Sequence, residues 1–216
     1  RGFPVSARVG AVAVLVSLLI GLTLGITSAI KRGGLLDGFS MVFATIGISI
    51  PTFVTSVLLL YFFAGGVLRW LPTYGLATWR HYILPVTCLS FHPIAYIARM
   101  TRSSMLEVMQ QDYIRTARAK GVTEFLVVVK HGLRNAILPV VTYLGTLIAG
   151  LLTGSFIIER LYAIPGIGKY FVDSISGRDY NVILGITVFF GIFVVICNIL
   201  VDIFYGVIDP RVKMSE

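Results

Sequence analysis

Few residues in this chain could do chemistry, because 56% of its 216 residues are hydrophobic and only 13% are charged. His92 stands inside an apolar run and could relay a proton or hold a ligand. With no second ligand three or four residues away, a neutral imidazole bonded to a neighbouring helix is the favoured reading. Asn198, Asp202 and Tyr205 share one helical face at i, i+4 and i+7. Asp202 falls at the end of an apolar run, which favours an interfacial hydrogen-bonding role over proton coupling. Gly168-Lys169 superficially looks like a phosphate loop, but Ala163 stands where the first Gly should be and Tyr170 where Ser or Thr should be. No His-Glu-x-x-His or comparable metal spacing occurs, and Cys88 and Cys197 sit in apolar runs as small core residues. The sequence therefore assigns no catalytic residue and no metal ligand.

The remaining charge is concentrated in one stretch. Between Arg99 and Arg134 there are seven Lys or Arg against three acids, with apolar sequence on both sides. A block of this kind lies in water and faces a partner. Met105, Met109, Tyr113 and Ala117 recur every four residues, which predicts an amphipathic helix. Gly121 follows Arg118 and Lys120, where a helix ends on a left-handed residue. Thr123 then caps a second short helix, with Glu124 in its first turn and Lys130, His131 and Arg134 in its last. Val127 to Val129 would also suit a strand, but a lone strand here has no partner.

Mean hydropathy of +0.89 makes the chain an integral membrane protein. A net charge of +8 does not indicate nucleic acid, because the basic residues cluster at the ends of apolar runs. The architecture expected is all-α and polytopic, a single domain over 1–216 with five spans at about 9–30, 40–64, 81–98, 135–158 and 180–201. Gly38 to Leu68 is too long for one straight span, so a kink is expected near Pro51. The third span contains Pro85 and Pro93 and is not expected to be straight. Gly21-x-x-x-Gly25 and Gly150-x-x-x-Gly154 are read as helix-packing sites, with pathway lining the lesser alternative. The aromatic segment 65–80 and the polar segment 159–179 connect spans on one side, and a charged loop at about 103–134 connects them on the other. Eleven basic residues on the second side against five on the first, plus Arg1 and Arg8 before the first span, make the charged loop and the C-terminus cytoplasmic.

Arg115-Thr116-Ala117 followed by Gly121 resembles the Glu-Ala-Ala-x-x-x-Gly loop by which permease subunits of ATP-binding-cassette importers dock on their ATPase. The family's Glu is here Arg115, its first Ala is Thr116, and Arg134 stands where a Pro is expected after Leu133. TRSSMLEVMQQDYIRTARAKGV, YAIPGIGKYFV and VDIFYGVIDPR are similar to the peptide-permease branch, most of all to B-type membrane subunits of oligopeptide permeases, over essentially the whole chain.

The resemblance implies a type I importer permease in a bacterial inner membrane, with one further span before Arg1, where the chain opens without an initiator Met. It implies ATPase coupling through Tyr113, Arg115, Thr116, Ala117, Lys120, Gly121, Val122 and Thr123. A possible external gate is expected at Pro165, Ile167 and Phe171. It also implies, as partners, a second similar permease subunit, two cytoplasmic ATPases, an extracytoplasmic peptide-binding protein and membrane lipid. No cofactor is expected in this chain, since ATP and Mg would sit on the ATPase subunits. Related permeases carry oligopeptides, dipeptides, glutathione or nickel. The competing class is a proton-coupled secondary transporter using Asp202 or His92, against which stands the lack of charge at mid-membrane.

Overall fold

The computed structural model describes residues 2–208, with side chains as far as 201 and at 203. The calls on Asp202, Tyr205 and the terminal Asp209-Pro210-Arg211 concern residues or side chains outside that description. Every described element is helical. α1 is Phe3–Ile30, α2 is Leu35–Ser49, and α3 is Thr52–Leu59 prolonged by a wide π turn over Leu60–Gly65. α4 is Arg80–Val108 and α5 is Asp112–Ala119. α6 (Glu124–Leu126) passes through a second π segment (Val127–Leu133) into α7 (Arg134–Ala136), and α8 is Leu138–Leu152. α9 is Phe156–Leu161, α10 is Ile167–Ser176 and α11 is Tyr180–Ile208. Four helical stretches are long and apolar enough to cross a membrane, and the α2–α3 pair makes a fifth if counted as one span.

That pair corrects the kink expected at Pro51, because the two halves meet at 103°. Ile50 precedes the proline and is pushed to extended backbone (φ −85°, ψ 123°), which ends α2 outright. Fifteen residues in α2 amount to about 22 Å, short of a roughly 30 Å hydrocarbon core. Pro85 and Pro93, by contrast, remain inside α4, where α1, α2, α3 and α8 surround the helix and hold it together. The fourth span is likewise interrupted: α8 stops at Leu152, Gly154 takes φ +91°, and Ser155 caps α9.

α4 is the hub, and α1 is its main partner. A Cβ on Gly21 would lie 2.8 Å from Ile97 Cβ, and one on Gly25 2.6 Å from Thr101 Cβ, so the first small-residue pair does bring two helices together. In the second pair only Gly154 is tight, where a Cβ would run into Glu159 and lie 3.0 Å from Ser6 Oγ of α1. A Cβ on Gly150 would meet nothing, and this glycine borders an open cleft. Serine and threonine hydroxyls along the spans, among them Ser17, Thr45 and Ser56, bond to carbonyls four residues back and so need no partner in lipid. Cys88 is buried with its Sγ 3.1 Å from Tyr162 Oη, and Cys197 is buried also.

One ionic cluster ties the ends of three helices. Asp37, in the first turn of α2, is 5% exposed. Its carboxylate accepts Arg102 Nε (2.6 Å) and Nη2 (2.8 Å) from α4, Ser28 Oγ (2.5 Å) from α1 and the Gly33 N–H (2.9 Å) from the turn between. Bidentate geometry with every lone pair engaged is the condition under which a buried pair holds a structure together. Asp37→Ala strands the guanidinium and is expected to cost about 3 kcal/mol. Thermal unfolding of the purified protein should show the loss, and Asp37→Ala with Arg102→Met should recover much of it.

Candidate functional site

α4 continues ten residues past its apolar run into the charged stretch, so Met105 belongs to it, and a turn over Met109–Gln111 intervenes before α5. The expected stripe of Met105, Met109, Tyr113 and Ala117 is therefore not one face of one helix. The buried face of α5 is Ile114 and Ala117, packed on Val127 with Met109 and Val122 alongside.

Gly121 does end α5 in the left-handed region, at φ +76°. The Val122 N–H reaches Ala117 O (3.2 Å) and the Gly121 N–H reaches Arg118 O (2.9 Å), the paired bonds of a Schellman turn. A Cβ on Gly121 would touch nothing within 4 Å, so the demand on this residue is conformational, not steric. Across the turn Arg118 grips Glu124 with Nε to Oε2 at 3.1 Å and Nη2 to Oε1 at 2.6 Å, and this pairing holds the Glu124 carboxyl below its ordinary range. Both side chains are open to water, which limits the pair to orienting the turn.

The second helix departs from expectation twice. Thr123 starts it with extended backbone but without a side-chain cap bond, and the helix does not end after Arg134. It runs on through the π segment toward α8, because nothing between Glu124 and Leu138 breaks it. Gly132 lets the segment pass close to Met109 Sδ, 3.0 Å from where its Cβ would be. Tyr113 Oη accepts a bond from Asn135 Nδ2 (2.8 Å), fixing α5 against α7.

Of the residues named for coupling, Tyr113, Arg115, Thr116, Lys120, Gly121 and Thr123 are exposed, Val122 is half-buried, and Ala117 is buried within the element it was expected to present. Phe125 was missed. It is 74% exposed, with Leu126 and Val129 exposed beside it. The one Phe, Tyr or Trp between Tyr113 and Tyr143 was the available signal.

The far end of the molecule holds a second missed residue. Glu159, expected in a polar external connection, is 4% exposed. It accepts Ser6 Oγ from α1 (2.6 Å) and the Lys169 N–H from the first turn of α10 (3.1 Å). Gly154, Gly166 and Gly168 all lie where a Cβ would run into its carboxylate. The helix terminus at Gly168-Lys169 is thus filled by the chain's own anion. Among the proposed gate residues, Pro165 is exposed just before the Gly166 cap, and Ile167 is half-buried with its N–H on Ser6 Oγ (2.9 Å). Phe171 stacks on Phe156 at 4.8 Å and 23°, while the exposed ring is Tyr170. His92 has no hydrogen-bond partner among the described residues and borders the same cleft as Gly150, contrary to the neighbour-bonded state favoured for it.

Residues 21–214 match the model of the family described as binding-protein-dependent transport system inner membrane component. The chain is 52% identical to the dipeptide transport system permease protein of Bacillus subtilis, over 100% of the chain and 70% of that protein. It is 43% identical to the oligopeptide transport system permease protein of Salmonella typhimurium (98% and 69%) and 46% identical to the glutathione transport system permease protein of Pectobacterium atrosepticum (86% and 60%). The fold also matches a chain of the inward-facing MetNI methionine ABC transporter, with a TM-score of 0.78 at 20% identity over 97% of this chain and 95% of that one.

Glu159→Ala would leave Ser6 and the Lys169 N–H without their acceptor inside a buried space, an expected loss of about 2–3 kcal/mol. Glu159→Gln, which keeps the shape and one acceptor, should lose less. Thermal unfolding of the two variants checks the order.

Proposed function

This chain belongs to the family of inner membrane components of binding-protein-dependent transport systems, and from that membership we propose that it forms half of the translocation pathway of a peptide importer and takes its power from a cytoplasmic ATPase docked on α5 and α6. It is a multi-pass permease subunit of the inner membrane. The chain carries no phosphate loop, and the one terminus resembling it is occupied by Glu159. ATP and Mg therefore belong to partner subunits in this reading. The peptide cargo rests on the dipeptide and oligopeptide relatives, and the remaining partners are a second permease subunit and an extracytoplasmic binding protein.

The observation that carries the coupling role is continuity. α5 is locked to α6 by the Gly121 turn and to α7 by the Tyr113–Asn135 bond, and α6 passes without a loop toward α8. A displacement of the exposed surface by a closing ATPase dimer must then move α8, because no flexible joint lies between them. Arg115, Thr116 and Lys120 supply the polar part of that surface and Phe125 an apolar knob.

A cysteine at Thr116 should cross-link to an ATPase subunit in the assembled transporter, and Phe125→Ala should weaken ATPase co-purification. Gly121→Val costs about 1–2 kcal/mol at a left-handed position, more than Gly121→Ala, and should abolish uptake at normal membrane abundance. Cross-linking only within the permease itself, or normal uptake by Gly121→Val, overturns the docking assignment.

A further inference from the structure

α4 carries a polar stripe that none of the packing explains. His92, Tyr96, Arg99 and Ser103 recur at i, i+4, i+7 and i+11, which places them on one line about 17 Å long. The other side of the same helix, at Ile97, Ala98, Thr101 and Met105, is fully buried against the rest of the bundle. Tyr96, Arg99 and Ser103 are exposed and His92 half-buried.

The stripe does not front a featureless surface. His92 borders a cleft of about 420 Å³ shared with Tyr143, Thr146 and Gly150 of α8. Tyr96, Arg99 and Ser103 line a second cavity of about 320 Å³ closed on the other side by Ile48 of α2. The Tyr96 and Tyr143 rings, 4.5 Å apart, stand between the two. The stripe thus runs from a cleft bordered by α8 to a groove bordered by α2, with the aromatic pair where the one gives way to the other.

Arg99 is the one full charge in that groove, and it has no ion-pair partner among the described residues, whereas Arg102, one residue-turn around the helix, is fully used by Asp37. A guanidinium held in an apolar groove with its donors unspent is matched by a carboxylate, bidentate and charge-assisted. Arg99 stands where the apolar run of α4 gives way to the charged stretch, and a cationic side chain that faces a cavity there suits the cytoplasmic mouth of a transport route.

We propose that the α4 stripe is the cargo track through this subunit and that Arg99 is its receptor for the C-terminal carboxylate of a short peptide, with Tyr96 and Tyr143 as the constriction the peptide passes. His92 and Ser103 supply hydrogen bonds to the peptide's polar groups on either side of that constriction. This rests on the peptide-importer reading above.

The test uses the assembled importer in proteoliposomes with its binding protein, and compares uptake of a labelled tripeptide with a free C-terminal carboxylate against the same tripeptide as its C-terminal amide. Arg99→Gln should lower uptake of the free acid about tenfold, the size of one charge-assisted hydrogen-bonding contact, and leave the acid-to-amide ratio near one. Arg99→Lys should keep most of the preference. In parallel, thiol labelling of Ser103→Cys should slow in the presence of saturating peptide during turnover. An Arg99→Gln importer with the wild-type acid-to-amide ratio overturns the carboxylate assignment, and unslowed labelling at Ser103→Cys overturns the track. If the wild-type importer takes up neither peptide, it is the peptide reading that fails.

Discussion

The buried Asp37 carboxylate is the interaction on which the order of this bundle depends. α1 ends, a tight turn reverses the chain, α2 begins, and α4 arrives from 65 residues away, all on two oxygens. Apolar contact alone would not set these three ends relative to one another, since in lipid one oily face serves as well as another. Directional bonds with no water to substitute for them do set it. The cluster sits beside the contacts through which α1 and α4 meet the proposed docking element, where Ala29 and Met105 pack on Val128.

α1 and α4 then carry that order through the molecule. Their contact at Gly21 and Gly25 admits no side chain, so the two helices move as one piece. At one end they hold the proposed docking element. At the other Ser6 of α1 bonds Glu159 and Leu84 of α4 shares a core with Ile158, both on α9, the helix that precedes the proposed gate. A rigid pair with a polar lock at each end is suited to rocking as a body, as alternating access requires.

What was legible in the sequence was what local chemistry decides. Gly121 after a basic turn, the apolar lengths of α1 and α11, and the close approach at Gly21 and Gly25 all follow from a few neighbouring residues. The bend at Pro51 was underestimated because the proline's effect depends on whether the preceding residue leaves the helix, and neighbours decide that: Ile50 leaves, His92 before Pro93 does not. The methionine stripe was continued across a turn that periodicity cannot see. Glu159 was placed in water because its acceptors' partners, Ser6 and Lys169, are brought to it only by the tertiary fold, the first from 153 residues away. Phe125 was passed over because charge, not the lone ring, drew the reading of that stretch.

The π segment over Val127–Leu133 has a consequence for how sequences of this kind can diverge. A π turn is an α-helix holding one surplus residue, and it is the cheapest place to absorb or release one. Deleting a residue there would restore regular helix and, because the wide turn already absorbs the surplus, leave the downstream helix close to its present angle. Tyr143 and Gly150 would keep their place on the cleft. A change of one residue is therefore absorbed at Val127–Leu133, whereas the same change inside the regular helix of α8 would turn everything beyond it by about 100° about the axis.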